Sequence, residues 1–126
     1  MLRGRTIGLL GLSFKPNTDD LRDSPALTLI DCLHDRGAVL RVHDPISMEV
    51  AMERHPGLPV EYCEDPPCLA IGSDAIVLVT DWPEYRHLPL AEMRKRMRGD
   101  LILDARNLLN ADEVRRHDLT YVGIGR

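Results

Sequence analysis

A three-layer α/β domain, with helices on both faces of a mostly parallel sheet of about five to six strands, is the fold class this sequence predicts. Three observations carry that expectation. Thr6 to Leu12, Ala75 to Val79 and Leu101 to Leu103 are apolar throughout rather than alternating, the pattern of strands buried on both faces. Strand and helix patterns alternate along the chain, as right-handed βαβ units require. The 126 residues, of which 44% are hydrophobic and 29% charged, fit one domain spanning 1–126 that needs no staple to fold.

Taken in order, Thr6 to Leu12 reads as a central strand. Gly8 and Gly11 stand three apart, so the G-x-G-x-x-G dinucleotide fingerprint is missing, although Gly11 suits a tight turn after the strand. Ser24 and Pro25 make an N-cap followed by a proline at the first helical position, where its missing N–H leaves nothing unpaired. The helix they open extends to about Arg36, with Ala26, Ile30 and Leu33 in one stripe, Leu27 and Leu29 beside it, and Gly37 as the left-handed stop. Val39 to His43 is the second strand, ended by Asp44-Pro45. Ser47 to His55 suits a short helix, Pro59 to Tyr62 a weak edge strand, and Pro66-Pro67 a helical turn closing at Gly72. Ala75 to Val79 belongs beside the first strand. Leu90 to Met97 is an amphipathic helix with Arg94, Lys95, Arg96 and Arg98 near its end, where the helix dipole favours cations. Leu101 to Leu103 is the third buried strand, Asp112 to Arg116 a last helix, and Thr120 to Val122 a last strand.

Ordinary folding requirements explain least the connection Phe14-Lys15-Pro16-Asn17-Thr18-Asp19-Asp20-Leu21-Arg22-Asp23-Ser24-Pro25. It is far longer than the usual strand-to-helix turn of about 2 to 6 residues, and long loops there tend to bind ligands. Two cations, Lys15 and Arg22, stand among Asp19, Asp20 and Asp23, with prolines to stiffen the backbone. Open parallel sheets hold ligands outside the carboxyl ends of their strands. Lys15, Arg22, Trp82 of Thr80-Asp81-Trp82-Pro83, and Arg106 of Asp104-Ala105-Arg106-Asn107 are expected to gather at that edge. Three of the four have a plainer reading too: loop ion pairs for Lys15 and Arg22, and packing over the sheet end for Trp82. Asp44 stands where an acidic residue can hold a ribose hydroxyl, but a turn-forming Asp-Pro explains it as well.

A net charge of -4 argues against a general nucleic-acid binder, while leaving local cations able to hold one phosphate group. No apolar run approaches the ~20 residues of a membrane span and no signal-peptide core precedes the first strand, so a cytoplasmic location is the default expectation. Cys32, Cys63 and Cys68 are odd in number, the last two at a C-x4-C spacing with no second pair, and neither zinc nor a disulfide is expected. The five histidines, His34, His43, His55, His87 and His117, show no metal-ligand spacing.

The run Gly11-Leu12-Ser13 followed by Phe14 to Pro25 resembles the C-terminal, UDP-binding domain of the UDP-glucose/GDP-mannose dehydrogenase family, and implies a Rossmann-like fold. The resemblance continues through Val42-His43-Asp44-Pro45, Val79-Thr80-Asp81-Trp82, Asp104-Ala105-Arg106-Asn107 and the ending Tyr121-Val122-Gly123-Ile124-Gly125-Arg126. Such enzymes oxidise the C6 alcohol of a nucleotide sugar to a carboxylate in two NAD-dependent steps, through a thioester on a cysteine, and serve polysaccharide biosynthesis. Position by position, the resemblance implies that Phe14, Lys15 and Arg106 contact the UDP-sugar and that Arg22 contacts NAD, which another, N-terminal domain mainly binds. That dinucleotide domain, the helix joining the domains and the loop with the nucleophilic cysteine have no counterpart in these 126 residues. The chain alone is therefore expected to carry no catalytic residue and no metal. Two arrangements fit: a domain of a longer UDP-glucose, GDP-mannose or UDP-N-acetylhexosamine dehydrogenase, with a possible homodimer, or a short non-enzymatic binding or assembly module.

Overall fold

A computed structural model describes residues 2–124. Its centre is a six-stranded, wholly parallel sheet in the order β3-β2-β1-β4-β5-β6. The strands are β1 (Thr6–Leu10), β2 (Val39–His43), β3 (Val60–Tyr62), β4 (Ala75–Leu78), β5 (Leu101–Asp104) and β6 (Thr120–Gly123). The helices are α1 (Pro25–Asp35), α2 (Met48–Arg54), α3 (Pro66–Ala70), α4 (Leu90–Arg96) and α5 (Ala111–Arg115). Every strand and helix read from the sequence is present, with ends shifted by a residue or two. One element escaped that reading: a 3-10 turn at Pro83–His87, too short for a periodic signal.

The uniformly apolar strands sort onto two faces because successive side chains point opposite ways. Ile7 and Leu9 join Ala26, Ile30, Val42 and Ala51 in the core beneath α1 and α2. Leu10, Ile76, Leu78 and Ile102 join Leu69, Met93 and Val114 in the core beneath α3, α4 and α5. β1 is central, as expected, and β3 is an edge. Gly8 lets α3 pack tightly on the sheet, since a Cβ there would lie 2.3 Å from Leu69 Cδ2.

Chain order reverses between β1 and β4. β2 and β3 build outward on one side, and β4, β5 and β6 build on the other. The connections that follow β1 and β4 therefore lead to helices on opposite faces, and the carboxyl edge between them is where a doubly wound sheet ordinarily has its crevice.

Candidate functional site

The loop after β1 is clamped at its base and free at its tips. Gly11, at φ +107°, turns the chain against β4 so closely that a Cβ would lie 2.4 Å from the Thr80 side chain. Asp44, fully buried at the end of β2, then takes hold of the loop. Its Oδ2 accepts from Leu12 N (2.8 Å), Ser13 N (3.2 Å) and Trp82 Nε1 (3.2 Å), and its Oδ1 from Ile46 N (2.9 Å) and Ser47 N (2.8 Å). Burial by itself would raise this carboxyl's pKa, but the four backbone N–H groups outweigh it and the carboxyl stays ionised below the usual range. Thr80 Oγ1 donates to Ser13 O (2.7 Å), Ser24 Oγ donates to Leu12 O, and Phe14 N donates to Asp20 O (3.2 Å). Leu21 pins the middle of the loop into the α1 core. Ser24 also caps α1 by accepting from Ala26 N, the N-cap role read from the sequence.

The tips behave differently. Phe14 is 50% exposed, Lys15 is exposed, and the Arg22 side chain is 89% exposed. Arg22 lies back on Asp20 through a forked pair, Nε and Nη2 each 3.0 Å from a carboxylate oxygen. The guanidinium holds the Asp20 carboxyl down to about 2, and Asp20 in turn raises Arg22. Lys15 forms no ion pair among the described residues. Of the three loop carboxylates, Asp20 forms the ion pair read for Arg22. Phe14, Asp20, Arg22 and Asp23 line a shallow concavity of about 270 Å³.

Arg106 follows β5 at the same edge and meets a different partner. Its Nη2 is 3.1 Å from Asp81 Oδ1, yet that oxygen makes no well-aligned hydrogen bond, so the contact is an ionic one at a half-buried site. Asp104 supports the turn from below, accepting from Arg106 N (3.1 Å), Leu109 N (2.7 Å) and Tyr121 Oη (3.0 Å) while fully buried. Arg106 is not among the residues lining the concavity beside Arg22.

The structure thus brings together Phe14 and Arg22, with Lys15 on the same loop, and sets Arg106 apart on the β5 side of the edge. Trp82 does not join them. It is 2% exposed and its indole N–H is spent on Asp44, so it covers the sheet end, the plainer of its two readings. Asp44 likewise proves to be a turn-forming residue: with both oxygens engaged by the protein, no lone pair faces a ribose. Sequence reasoning missed how much Asp44 and Asp104 hold. Both stand at the end of a strand immediately before a turn, and that repeated pattern was the available signal. It also missed a buried pair, His43 Nδ1 with Tyr85 Oη at 2.9 Å, whose hydroxyl donates to His43 O (3.2 Å).

These facts bear on a dinucleotide. The switch-point crevice, where a pyrophosphate ordinarily lies on a glycine-rich turn, is filled here by Thr80, Trp82 and Asp44. The described residues do not fit NAD as a resident of this domain. Among the described residues no group of three or more His, Cys, Asp or Glu is placed to hold a metal, and no helix is long and apolar enough to cross a membrane.

A doubly wound parallel domain, closed at its crevice and with charged residues of both signs on its loop, is the class that fold and site define. The pattern described as the UDP-glucose/GDP-mannose dehydrogenase family, UDP binding domain, matches residues 8–111. A UDP-glucose 6-dehydrogenase of Rhizobium meliloti is 42% identical over 125 residues, 99% of this chain and 28% of the relative. A UDP-glucose dehydrogenase structure from Pyrobaculum islandicum is 38% identical at a TM-score of 0.79, matching 98% of this chain and 26% of its own. An NDP-N-acetyl-D-galactosaminuronic acid dehydrogenase structure from Methanosarcina mazei, 29% identical, reaches 0.85 over 99% and 25%. The chain belongs to the UDP-glucose/GDP-mannose dehydrogenase family and corresponds to its UDP binding domain. It spans about 28% of the length of the curated relative described above.

Proposed function

We propose that this chain is the nucleotide-sugar-holding domain of an NAD-dependent UDP-glucose 6-dehydrogenase, working in the cytoplasm on UDP-glucose for polysaccharide biosynthesis. The observation that carries the reading is the loop from Phe14 to Arg22, whose base is fixed by buried hydrogen bonds while its ring and cations face outward. Such an arrangement fixes the backbone beforehand and leaves only side chains to move onto a phosphate, which lowers the cost of binding. Lys15 supplies a movable ammonium to the diphosphate, Arg106 a forked guanidinium to the same ligand, and Phe14 a half-exposed ring against the nucleotide. Arg22 reaches across to NAD held mainly by an N-terminal dehydrogenase domain, the partner this surface requires. When bound there, NAD accepts the hydride. This chain's residues position the sugar nucleotide and take no covalent part, since Cys63 is buried and Cys32 and Cys68 lie on α1 and α3, away from the loop tips.

UDP-glucose is favoured over other sugars by 42% identity to a UDP-glucose enzyme. The higher TM-score to the Methanosarcina enzyme measures backbone shape, which enzymes for several sugars share. Calorimetric titration of UDP into the chain tests the proposal. The expected dissociation constant is on the order of 0.1 to 1 mM, because a domain offering part of a site forfeits tenfold in affinity per ~1.4 kcal/mol. The chain alone is expected to reduce no NAD with UDP-glucose. No heat at millimolar UDP, or turnover that survives replacing all three cysteines by alanine, would overturn it.

A further inference from the structure

On the outer β3 side of the sheet, β2, β3 and α3 bring a pair of thiols and a guanidinium together. Cys63 directly follows β3, is 2% exposed, and its N–H is fixed on Val42 O at 2.8 Å. Cys68 lies in the first turn of α3, where Asp65 Oδ1 accepts its N–H at 2.8 Å, and it is half-buried. Both pack against the same hydrophobic cluster, and the Cys63 thiol is within interaction range of both the Cys68 thiol and the Arg41 guanidinium. Backbone hydrogen bonds hold each cysteine in place at that shared cluster.

Arg41 has a feature that its structural contacts leave over. Its side chain is 12% exposed, Nη1 donates to Ile71 O, and Nη2 meets Glu61 Oε2 at 3.4 Å. Its third donor, Nε, is buried and makes no hydrogen bond. Buried donors are ordinarily satisfied, and an orphan one beside a thiol suits an acceptor that exists only in another chemical state of the sulfur. Burial pushes the Cys63 thiol up to about 11, so in the resting protein that sulfur is a protonated thiol and a poor acceptor.

We propose that Cys63 and Cys68 are a redox-active dithiol, oxidised by hydroperoxides to an intramolecular disulfide, with Arg41 as the positioning residue. Cys68 is the more accessible of the two and reacts first. Its thiolate attacks the peroxide, the O–O bond breaks, Cys68 becomes a sulfenic acid and, for hydrogen peroxide, the departing hydroxide takes a proton to become water. The Cys63 sulfur then attacks the Cys68 sulfur. The S–O bond breaks, the S–S bond forms, and the hydroxide released takes the Cys63 proton, giving a second water. Two thiols lose two electrons and two protons, and one peroxide becomes two waters. Arg41 steadies the negative charge that develops on Cys63 in the second step. The C-x4-C spacing alone gave no reason to expect a disulfide; the shared cluster and the unpartnered Nε do.

The test treats the reduced protein with a small excess of hydrogen peroxide, alkylates the remaining thiols, and maps them by peptide mass spectrometry. The expected result is a Cys63–Cys68 linked peptide, reversible by dithiothreitol, with Cys32 still alkylated. Cys63→Ser is expected to leave a Cys68 sulfenic acid that dimedone traps, and Arg41→Met to slow disulfide formation several-fold without changing the peptide formed. Full alkylation of both Cys63 and Cys68 after peroxide, or oxidation of either to sulfinic acid with no cross-linked peptide in the unmutated protein, would overturn the proposal.

Discussion

Asp44 and Asp20 flank the same loop, and both are held below the ordinary carboxylate range, but for opposite reasons. Asp44 is sealed under the loop, with Leu12, Ser13, Ile46, Ser47 and Trp82 all donating to it. Asp20 is on the outside, held down by one exposed guanidinium that can leave. The first is a structural clamp whose partners have no alternative in the folded chain. The second is an exposed pair, and on the proposed function it is a resting place for a cation that a ligand phosphate competes for. The difference teaches that a perturbed carboxylate marks function here only where its partner is mobile, and the mutational consequences should divide along that line.

The largest effect is expected at the clamp. Asp44→Asn turns an amide nitrogen toward N–H donors whichever way it flips, stranding at least two buried donors at about 1 to 3 kcal/mol each. Urea unfolding should show a loss of roughly 3 kcal/mol or more, and a loss below about 1 kcal/mol would erase the contrast. At the tip, Lys15→Ala and Arg22→Ala should each leave stability within about 0.5 kcal/mol, since exposed cations contribute little to folding. Their effect belongs to binding. With the chain joined to the remaining segments of a dehydrogenase, Arg22→Ala should raise the Michaelis constant for NAD more than that for UDP-glucose, and Lys15→Ala the reverse, by roughly tenfold to a hundredfold. Equal effects of both changes on both constants would make the loop one structural unit.

A smaller effect, set by pH, is expected at His43. Burial lowers its pKa, only partly opposed by Asp44 and Asp65, and the Tyr85 hydroxyl engages its Nδ1. The unfolded chain therefore binds a proton on this ring at higher pH than the folded chain does. Stability should be full above the ordinary histidine value of about 6.5 and fall as pH drops below it, by at most about 1.4 kcal/mol per pH unit. Urea midpoints between pH 7.5 and 5.5 measure this, and His43→Phe should flatten the fall. The smallest expected signal is Asp20 itself: NMR titration should find it ionising at about 2. In Arg22→Ala it should return toward the ordinary aspartate value of about 3.9.

The sequence made the scaffold legible because each element announced itself by a local physical requirement. Uniform apolar runs marked the buried strands, Ser24-Pro25 opened α1, and Gly37, at φ +87°, closed it. The loop stood out by length and charge, and Phe14, Lys15 and Arg22 do stand exposed on it. What stayed hidden depended on contacts across the fold. Nothing local says that Asp44 meets Trp82, 38 positions away in sequence, or that His43 meets Tyr85, 42 away. Trp82, on a turn at the carboxyl edge, admits both an outward and a packed reading from sequence, and only the position of Asp44 shows that its indole turns inward. Arg106 lies at the expected edge but on the Asp81 side, a separation that strand order alone could not supply.

Mapping UDP onto the backbone amides of the isotopically labelled chain tests the central claim most directly. If a clamped loop presents its outward residues to the nucleotide, saturable shifts should concentrate in Phe14 to Arg22 and around Arg106. Lys15→Ala should abolish most of them while leaving the amides of Leu12, Ser13, Ile46 and Ser47 at their native positions. Saturable shifts that fall elsewhere on the sheet, or a Lys15→Ala spectrum in which those four clamp amides move as well, would contradict it.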